Sequence, residues 1–105
     1  MNDIASGHHL LLSLQRALLG EVHPALRQAS VEADPVAKVV RLRFEYEGAA
    51  VGSAHDSCLA AAGEVIADFP PPWRLEEQHV PTPAKSRLEP LSCIAYLRAE
   101  DASAV

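Results

Sequence analysis

Apolar residues recur along this chain with two periods, one typical of helices and one typical of strands. Leu10, Leu14 and Leu18 repeat every four residues, which predicts an amphipathic helix over about residues 10–20. Ser6 precedes this run and is the expected N-cap, because its hydroxyl can accept a hydrogen bond from a free amide of the first turn.

A second helix is predicted to begin at Ser53 and to end at the three prolines 70–72, which cannot continue a helix. Asp56 follows Ser53 by three residues, a spacing that resembles a capping box. The stripe expected to face the core follows a 3, 4, 3 spacing and consists of Leu59, Ala62, Ile66 and Phe69.

Four segments show the alternation or the apolar content of strands. Residues 27–34 and 38–47 alternate between apolar and polar side chains, the second run more sharply, and are joined by an Asp-Pro turn, which predicts a β-hairpin. Residues 73–80 alternate poorly, as expected of an edge strand, whereas residues 92–98 are apolar enough for a central one.

The predicted element order is therefore α-β-β-α-β-β, in the α+β class. Two amphipathic helices and a sheet with one apolar face must bury one another, so we expect one four-stranded antiparallel sheet with both helices packed on one face. The length of 105 residues fits a single domain over residues 1–105, ordered over about residues 8–100.

Composition limits the cellular locations and the binding partners that we expect for this chain. Nine Lys and Arg against fourteen Asp and Glu give a formal net charge of −5, which argues against binding to nucleic acid. No apolar run approaches the roughly 20 residues of a membrane-spanning helix, and the first residues lack a secretory leader. We therefore expect a cytoplasmic protein with no membrane association and no disulfide framework.

The candidate chemistry is sparse. The five histidines include no pair at the i, i+4 spacing of metal ligands, and the five glycines never cluster into a phosphate-binding loop. His55, Asp56 and Ser57 are adjacent on a predicted helix, where neighbours point about 100° apart, so they cannot converge as a catalytic triad. No catalytic residue, metal site or cofactor is predicted, and we do not expect an enzyme.

The distribution of charge is the clearest asymmetry in the sequence. Between Phe44 and Trp73 there is no Lys or Arg, whereas five acidic residues occur there. Such a negative patch either keeps the protein soluble or steers a basic protein partner to its binding site. The candidate partner-binding residues are Glu45, Glu47, Asp56, Glu64 and Asp68.

Four segments in this order resemble small immunity proteins of bacterial polymorphic-toxin and contact-dependent growth-inhibition systems: 16–22 (RALLGEV), 40–48 (VRLRFEYEG), 64–70 (EVIADFP) and 96–100 (YLRAE). The resemblance spans about residues 10–100. It implies an inhibitor without catalysis of its own, which binds a toxin domain in the cytoplasm. Many such toxins are nucleases with basic clefts, so the expected partner is a basic protein.

Two other classes of function stay open at this point. A small enzyme or accessory subunit would carry a pocket between the helices and the sheet. A self-associating structural subunit would use Leu12, Leu19 or an uncovered edge of the sheet, and would form a homo-oligomer.

Overall fold

Two helices and four strands make up the computed structural model, which describes residues 4–83 and 85–100. Their order confirms the predicted α-β-β-α-β-β sequence of elements and the α+β class. The elements are α1 (Gly7–Ala17), β1 (Leu26–Asp34), β2 (Val39–Glu47), α2 (Gly52–Ala67), β3 (Arg74–Thr82) and β4 (Cys93–Leu97).

The four strands form one sheet in the order β3-β2-β1-β4. β1 runs antiparallel to both β2 and β4, but β2 and β3 are parallel, with Val40 opposite Leu75. The prediction of a fully antiparallel sheet is therefore wrong. The reason is the connection: α2 carries the chain from the end of β2 back to its start, so that β3 begins where β2 begins.

The hairpin of β1 and β2 confirms the prediction made from alternation. Its turn is held by Asp34, whose Oδ1 accepts hydrogen bonds from the amides of Val36 and Ala37, each at 3.0 Å. Paired residues such as Val31 and Leu42 lie on the same side of the sheet.

One of the two edge assignments is correct. β3 is an edge strand as predicted, but β4 lies at the other edge and is not central. The apolar content of β4 reflects packing from one side only: Cys93 and Tyr96 pack against the core and α1 contacts the strand, whereas Ile94 and Leu97 are exposed. Apolar content alone does not distinguish this arrangement from a strand with two neighbours.

The core lies where alternate residues of β2 meet the helices. Val40, Leu42, Phe44 and Tyr46 belong to one buried cluster with side chains of both helices. Burial of this apolar surface is the main force that stabilises the fold. The helical members of the cluster are Leu10, Leu14, Ala17 and Leu18 from α1 and its C-terminus, and Ala54, Cys58, Ala61, Ala62 and Val65 from α2.

The buried face of α2 agrees with the predicted stripe in part. Three of the four predicted residues pack in the core, but Leu59 is 43% exposed, whereas Ala61 is fully buried. The face that packs inward has a 4, 3, 4 spacing from Ala54 through Cys58 and Ala61 to Val65. Small side chains let a helix approach its neighbours closely, and a pattern based on the largest apolar residues misses such a face.

The two helices begin differently. Ser6 caps α1 as predicted, because its Oγ accepts a hydrogen bond from the amide of His9 at 3.3 Å. The capping box predicted at Ser53 is wrong: α2 begins at Gly52, and its N-cap is Val51, whose side chain makes no capping hydrogen bond. Gly52 has a φ of 72°, a conformation that glycine adopts without the strain of a side chain.

A long connection crosses the polar side of the sheet. Because β3 and β4 are opposite edges, the chain between them passes over β2 and β1; we call residues 83 and 85–92 the crossing segment. Its backbone is held by polar side chains of the sheet: Gln28 donates to the Leu88 carbonyl at 2.9 Å, and Arg43 donates to the Glu89 carbonyl at 2.7 Å.

Candidate partner-binding surface

Glu45 is the candidate residue that lies furthest from solvent. It points to the polar side of β2, beneath the crossing segment, and its side chain is 0% exposed. The carboxylate accepts hydrogen bonds from Gln28 at 3.1 Å, from Thr82 at 2.7 Å and from the Leu88 amide at 2.8 Å, and it forms an ion pair with Arg27 at 3.4 Å. A partner protein cannot reach this group, so the expectation of a contact through Glu45 does not fit its burial.

Glu47 lies two residues further along β2 and is exposed. Its Oε1 accepts a hydrogen bond from Arg98 at 2.6 Å. The carboxylate therefore already forms an ion pair with an arginine from near the other end of the chain. Arg98 also pairs with Glu100 at 3.0 Å.

Glu100 anchors the end of the described chain to the sheet. Both of its oxygens accept hydrogen bonds from Arg27, at 2.9 and 2.8 Å, and Arg87 and Arg98 pair with the same carboxylate. The hydrogen bonds from Arg27 contribute most to lowering the pKa of Glu100. Together with the hydrogen bond from Arg98 and the charges of Arg87 and Arg27, they bring it to about 2. The network is internal, since it links β1, β2 and the residues after β4.

Asp68 follows the last residue of α2 and joins the two helices. Its Oδ2 accepts a hydrogen bond from the buried Ser13 hydroxyl at 2.6 Å and pairs with Arg16 at 3.4 Å. The side chain is still one-third exposed, so Asp68 combines a structural contact with access to solvent.

Asp56 and Glu64 are the two candidates that keep their charge unbalanced. Both are exposed on α2, which contains no Lys or Arg, and neither forms an ion pair with any residue that the structure describes. They stand two helical turns apart, roughly 12 Å along the axis. We call Asp56, Glu64 and Asp68 the α2 carboxylate surface.

A groove between α1 and α2 adjoins this surface. Its volume is about 320 Å³, and Ser13, Arg16, Glu64 and Asp68 contribute its polar groups. Glu64 and Asp68 are one turn apart and border it together. Two carboxylates, those of Glu64 and Asp68, and the guanidinium group of Arg16 therefore border the groove.

The structure thus separates five residues that the sequence grouped by charge. The cations that neutralise three of them are Arg27, Arg98 and Arg16, which lie between 18 and 52 residues away along the chain. No local spacing indicates these pairs, because they form only when separate elements come together in the fold.

The arrangement closest to acid–base chemistry lies between α2 and the sheet. The Tyr46 hydroxyl and Nδ1 of His79 share a hydrogen bond of 2.7 Å, and Nε2 of His79 lies 2.8 Å from Glu77. Burial raises the pKa of Tyr46 and, close by, that of the Cys58 thiol. The Tyr46 hydroxyl and the Cys58 thiol are buried in the core, and the contact between Tyr46 and His79 links β2 to β3.

Two further features bear on possible ligands. Within residues 4–83 and 85–100, no three His, Cys, Asp or Glu side chains are placed to hold a metal ion. No helix in the same part of the chain is both long and apolar enough to cross a membrane.

Comparison with known families identifies the class of protein as a small bacterial immunity protein of polymorphic-toxin systems, which confirms the resemblance seen in the sequence. The matching family model is described as MafI2 immunity protein, and it covers residues 7–100. The chain belongs to the MafI2 immunity protein family. Membership implies a toxin as the partner in general, and such families are not typically enzymatic. No curated protein matches the chain.

Proposed function

We propose that this protein binds the toxin domain encoded beside it and holds that domain inactive in the cytoplasm, with the α2 carboxylate surface as the recognition site. The observation that carries this proposal is that Asp56 and Glu64 are exposed carboxylates that form no ion pair with any residue the structure describes. Leaving them unpaired gives the free protein no stabilisation, whereas a complementary partner gains from meeting them.

The proposed partner is a basic protein. A chain with a formal net charge of −5 attracts cationic surfaces over a distance of about one Debye length, which speeds encounter. A nuclease toxin would carry a cleft that binds phosphate, and the carboxylates of α2 would occupy the positions of phosphate groups there. The groove beside Glu64 and Asp68 would accept one arginine or lysine side chain of that cleft.

Glu47 has a smaller part in this proposal, and Glu45 has none. A basic residue of the toxin would have to displace Arg98 from Glu47, so little energy is gained by exchanging one guanidinium group for another. Asp68 is intermediate, because only one of its oxygens is used by Ser13 and Arg16.

The proposed mode of action is occupation of the toxin, without any bond being made or broken. The supporting observation is that the Tyr46 hydroxyl, which is hydrogen-bonded to His79, and the Cys58 thiol are both buried and have a raised pKa. Inhibition by occupation requires affinity and a long residence time, both of which depend on complementary surfaces.

The test is a charge reversal with a matched control. In the doubly substituted Glu64→Lys/Asp68→Lys protein we expect affinity for the toxin domain to fall at least about tenfold, since like charges then face each other. Protection of growing cells from the toxin should fall in parallel. The control is Glu76→Lys/Glu89→Lys, which makes the same change in net charge on the polar side of the sheet. It likewise removes one carboxylate paired with an arginine, that of Glu76, and one that forms no ion pair with a described residue, that of Glu89.

One outcome would contradict the proposed recognition site, and another would contradict the proposed function. If both double variants bind as the wild type does, α2 is not the recognition site, although the immunity function stands. If the unaltered protein neither binds the toxin domain nor protects cells from it, the function itself is wrong.

A further inference from the structure

β4 presents an open edge of the sheet. It pairs only with β1, and the described chain supplies no strand on its other side. The amide of Arg98 donates to the Arg27 carbonyl, toward β1, at 2.9 Å. Because successive amides of a strand point in opposite directions, the amide of Leu97 faces the open side.

The two edges of this sheet differ in how they are protected. β3 carries Arg74, Glu76 and Glu77 and also contains a proline, features with which natural proteins prevent unwanted strand pairing. β4 reads Cys-Ile-Ala-Tyr-Leu, without a charge or a proline. Its edge is therefore open to pairing with another strand.

Exposed apolar side chains accompany the open edge. Ile94 is 43% exposed and Leu97 is 54% exposed. They pair with Ser30 and Gln28 respectively, so both lie on the polar side of the sheet, facing away from the core cluster. A strand placed beside β4 would pack against both side chains and would pair with the main-chain groups of β4 that point away from β1.

We propose that the open edge of β4 is a dimer interface that pairs antiparallel with β4 of a second copy of this chain. Strand addition about a twofold axis would join the two sheets in the order β3-β2-β1-β4-β4-β1-β2-β3. Only the protected β3 strands would remain as edges. The contact is self-complementary, as an isologous interface requires.

The β4 edge is uncharged, so a second copy of this acidic chain meets the least repulsion there. Two molecules with a formal charge of −5 each repel wherever their carboxylates meet, and the five residues of β4 carry none. The same lack of charge gives a basic toxin nothing to recognise. α2 contacts β3 and β2, at the other end of the sheet from β4. A dimer through β4 therefore leaves both α2 carboxylate surfaces accessible, and this inference does not depend on toxin binding.

The experiment measures the molar mass in solution over concentrations from roughly 10 to 500 µM, the range in which a small interface becomes populated. We expect the mass to rise from the 11.3 kDa of one chain toward twice that value. Leu97→Lys places a charge at the edge and should keep the protein monomeric. Leu19→Lys, which alters a leucine that is 78% exposed near the end of α1, is the matched control and should dimerise like the wild type.

Amide hydrogen exchange locates the contact independently. Protection of the Leu97 amide should increase with protein concentration in the wild type and in Leu19→Lys, and not in Leu97→Lys. A single-chain mass at every concentration would overturn the proposal, and so would a dimer that persists in Leu97→Lys. If no dimer forms and Leu97→Lys instead abolishes toxin binding, the edge belongs to the toxin and the proposal is likewise wrong.

Discussion

Glu45 and Glu64 are both glutamates within the same acidic stretch of sequence, yet the fold gives them opposite roles. Glu45 is enclosed by Arg27, Thr82 and the crossing segment, where each oxygen has a partner. Glu64 is exposed at the groove between α1 and α2 and forms no ion pair with a described residue. A buried carboxylate is retained because it satisfies polar groups around it, whereas an exposed and unpaired one is available for binding.

Replacement of Glu45 tests its structural role. Glu45→Gln removes the charge opposite the buried Arg27 and replaces one acceptor oxygen with a donor that faces other donors. We expect the free energy of unfolding to fall by about 3 kcal/mol, as measured by urea denaturation. Glu47→Gln, two residues away at an exposed position, should cost less than about 1 kcal/mol. Equal losses in the two variants would contradict the assignment.

Glu100 should make stability depend on pH in acid. Its pKa is about 2 in the folded protein, below the ordinary glutamate value of 4.5 that applies in the unfolded chain. Because the folded-state pKa is the lower one, the carboxylate stabilises the fold fully above pH 4.5, and this contribution is lost as the pH falls toward 2. Thermal denaturation should show Glu100→Gln melting well below the wild type at pH 7, with the gap closing near pH 2. A gap that stays constant with pH would contradict this role.

At the scale of elements, local pattern was sufficient for the hairpin and insufficient for the sheet. Alternation and a turn determine the pairing of β1 with β2, because both strands are neighbours in sequence. β2 and β3 are parallel because α2 forms the crossover between them. The β-α-β order in the sequence was therefore sufficient to predict a parallel pair. The position of β4 depends on which strand pairs with the second edge of β1. No local sequence pattern indicates which strand that is.

The start of α2 offers a test of capping at the scale of an element. Val51 has the extended backbone of an N-cap, and its side chain is exposed. This side chain has no atom that could accept a hydrogen bond from the amides of the first turn. Val51→Ser should add such a hydrogen bond and stabilise the protein by about 1 kcal/mol in thermal denaturation. Val36→Ser, at the exposed turn of the hairpin, makes the same substitution without a helix to cap and should change stability by less than about 0.5 kcal/mol. If Val51→Ser has no larger effect than this control, α2 does not begin where the structure has it.

At the scale of the whole molecule, the fold divides the acidic residues into an internal network and an external surface. Arg16, Arg27 and Arg98 reach across the structure to neutralise Asp68, Glu45 and Glu47. A count of charges along the sequence locates the acidic region but cannot show which of its members are neutralised. The sequence could therefore predict that the candidate site is acidic and lies on the second helix. It could not predict which of the acidic residues belong to the site.

The most direct test of toxin recognition by α2 is the association rate constant with the toxin domain, measured as a function of salt concentration. We predict that the wild type and Glu76→Lys/Glu89→Lys associate quickly at low salt and slow steeply as salt is added, because screening weakens steering. Glu64→Lys/Asp68→Lys should associate about tenfold more slowly at low salt and depend on salt much less. Identical rates and identical salt dependence in all three proteins would contradict recognition through α2.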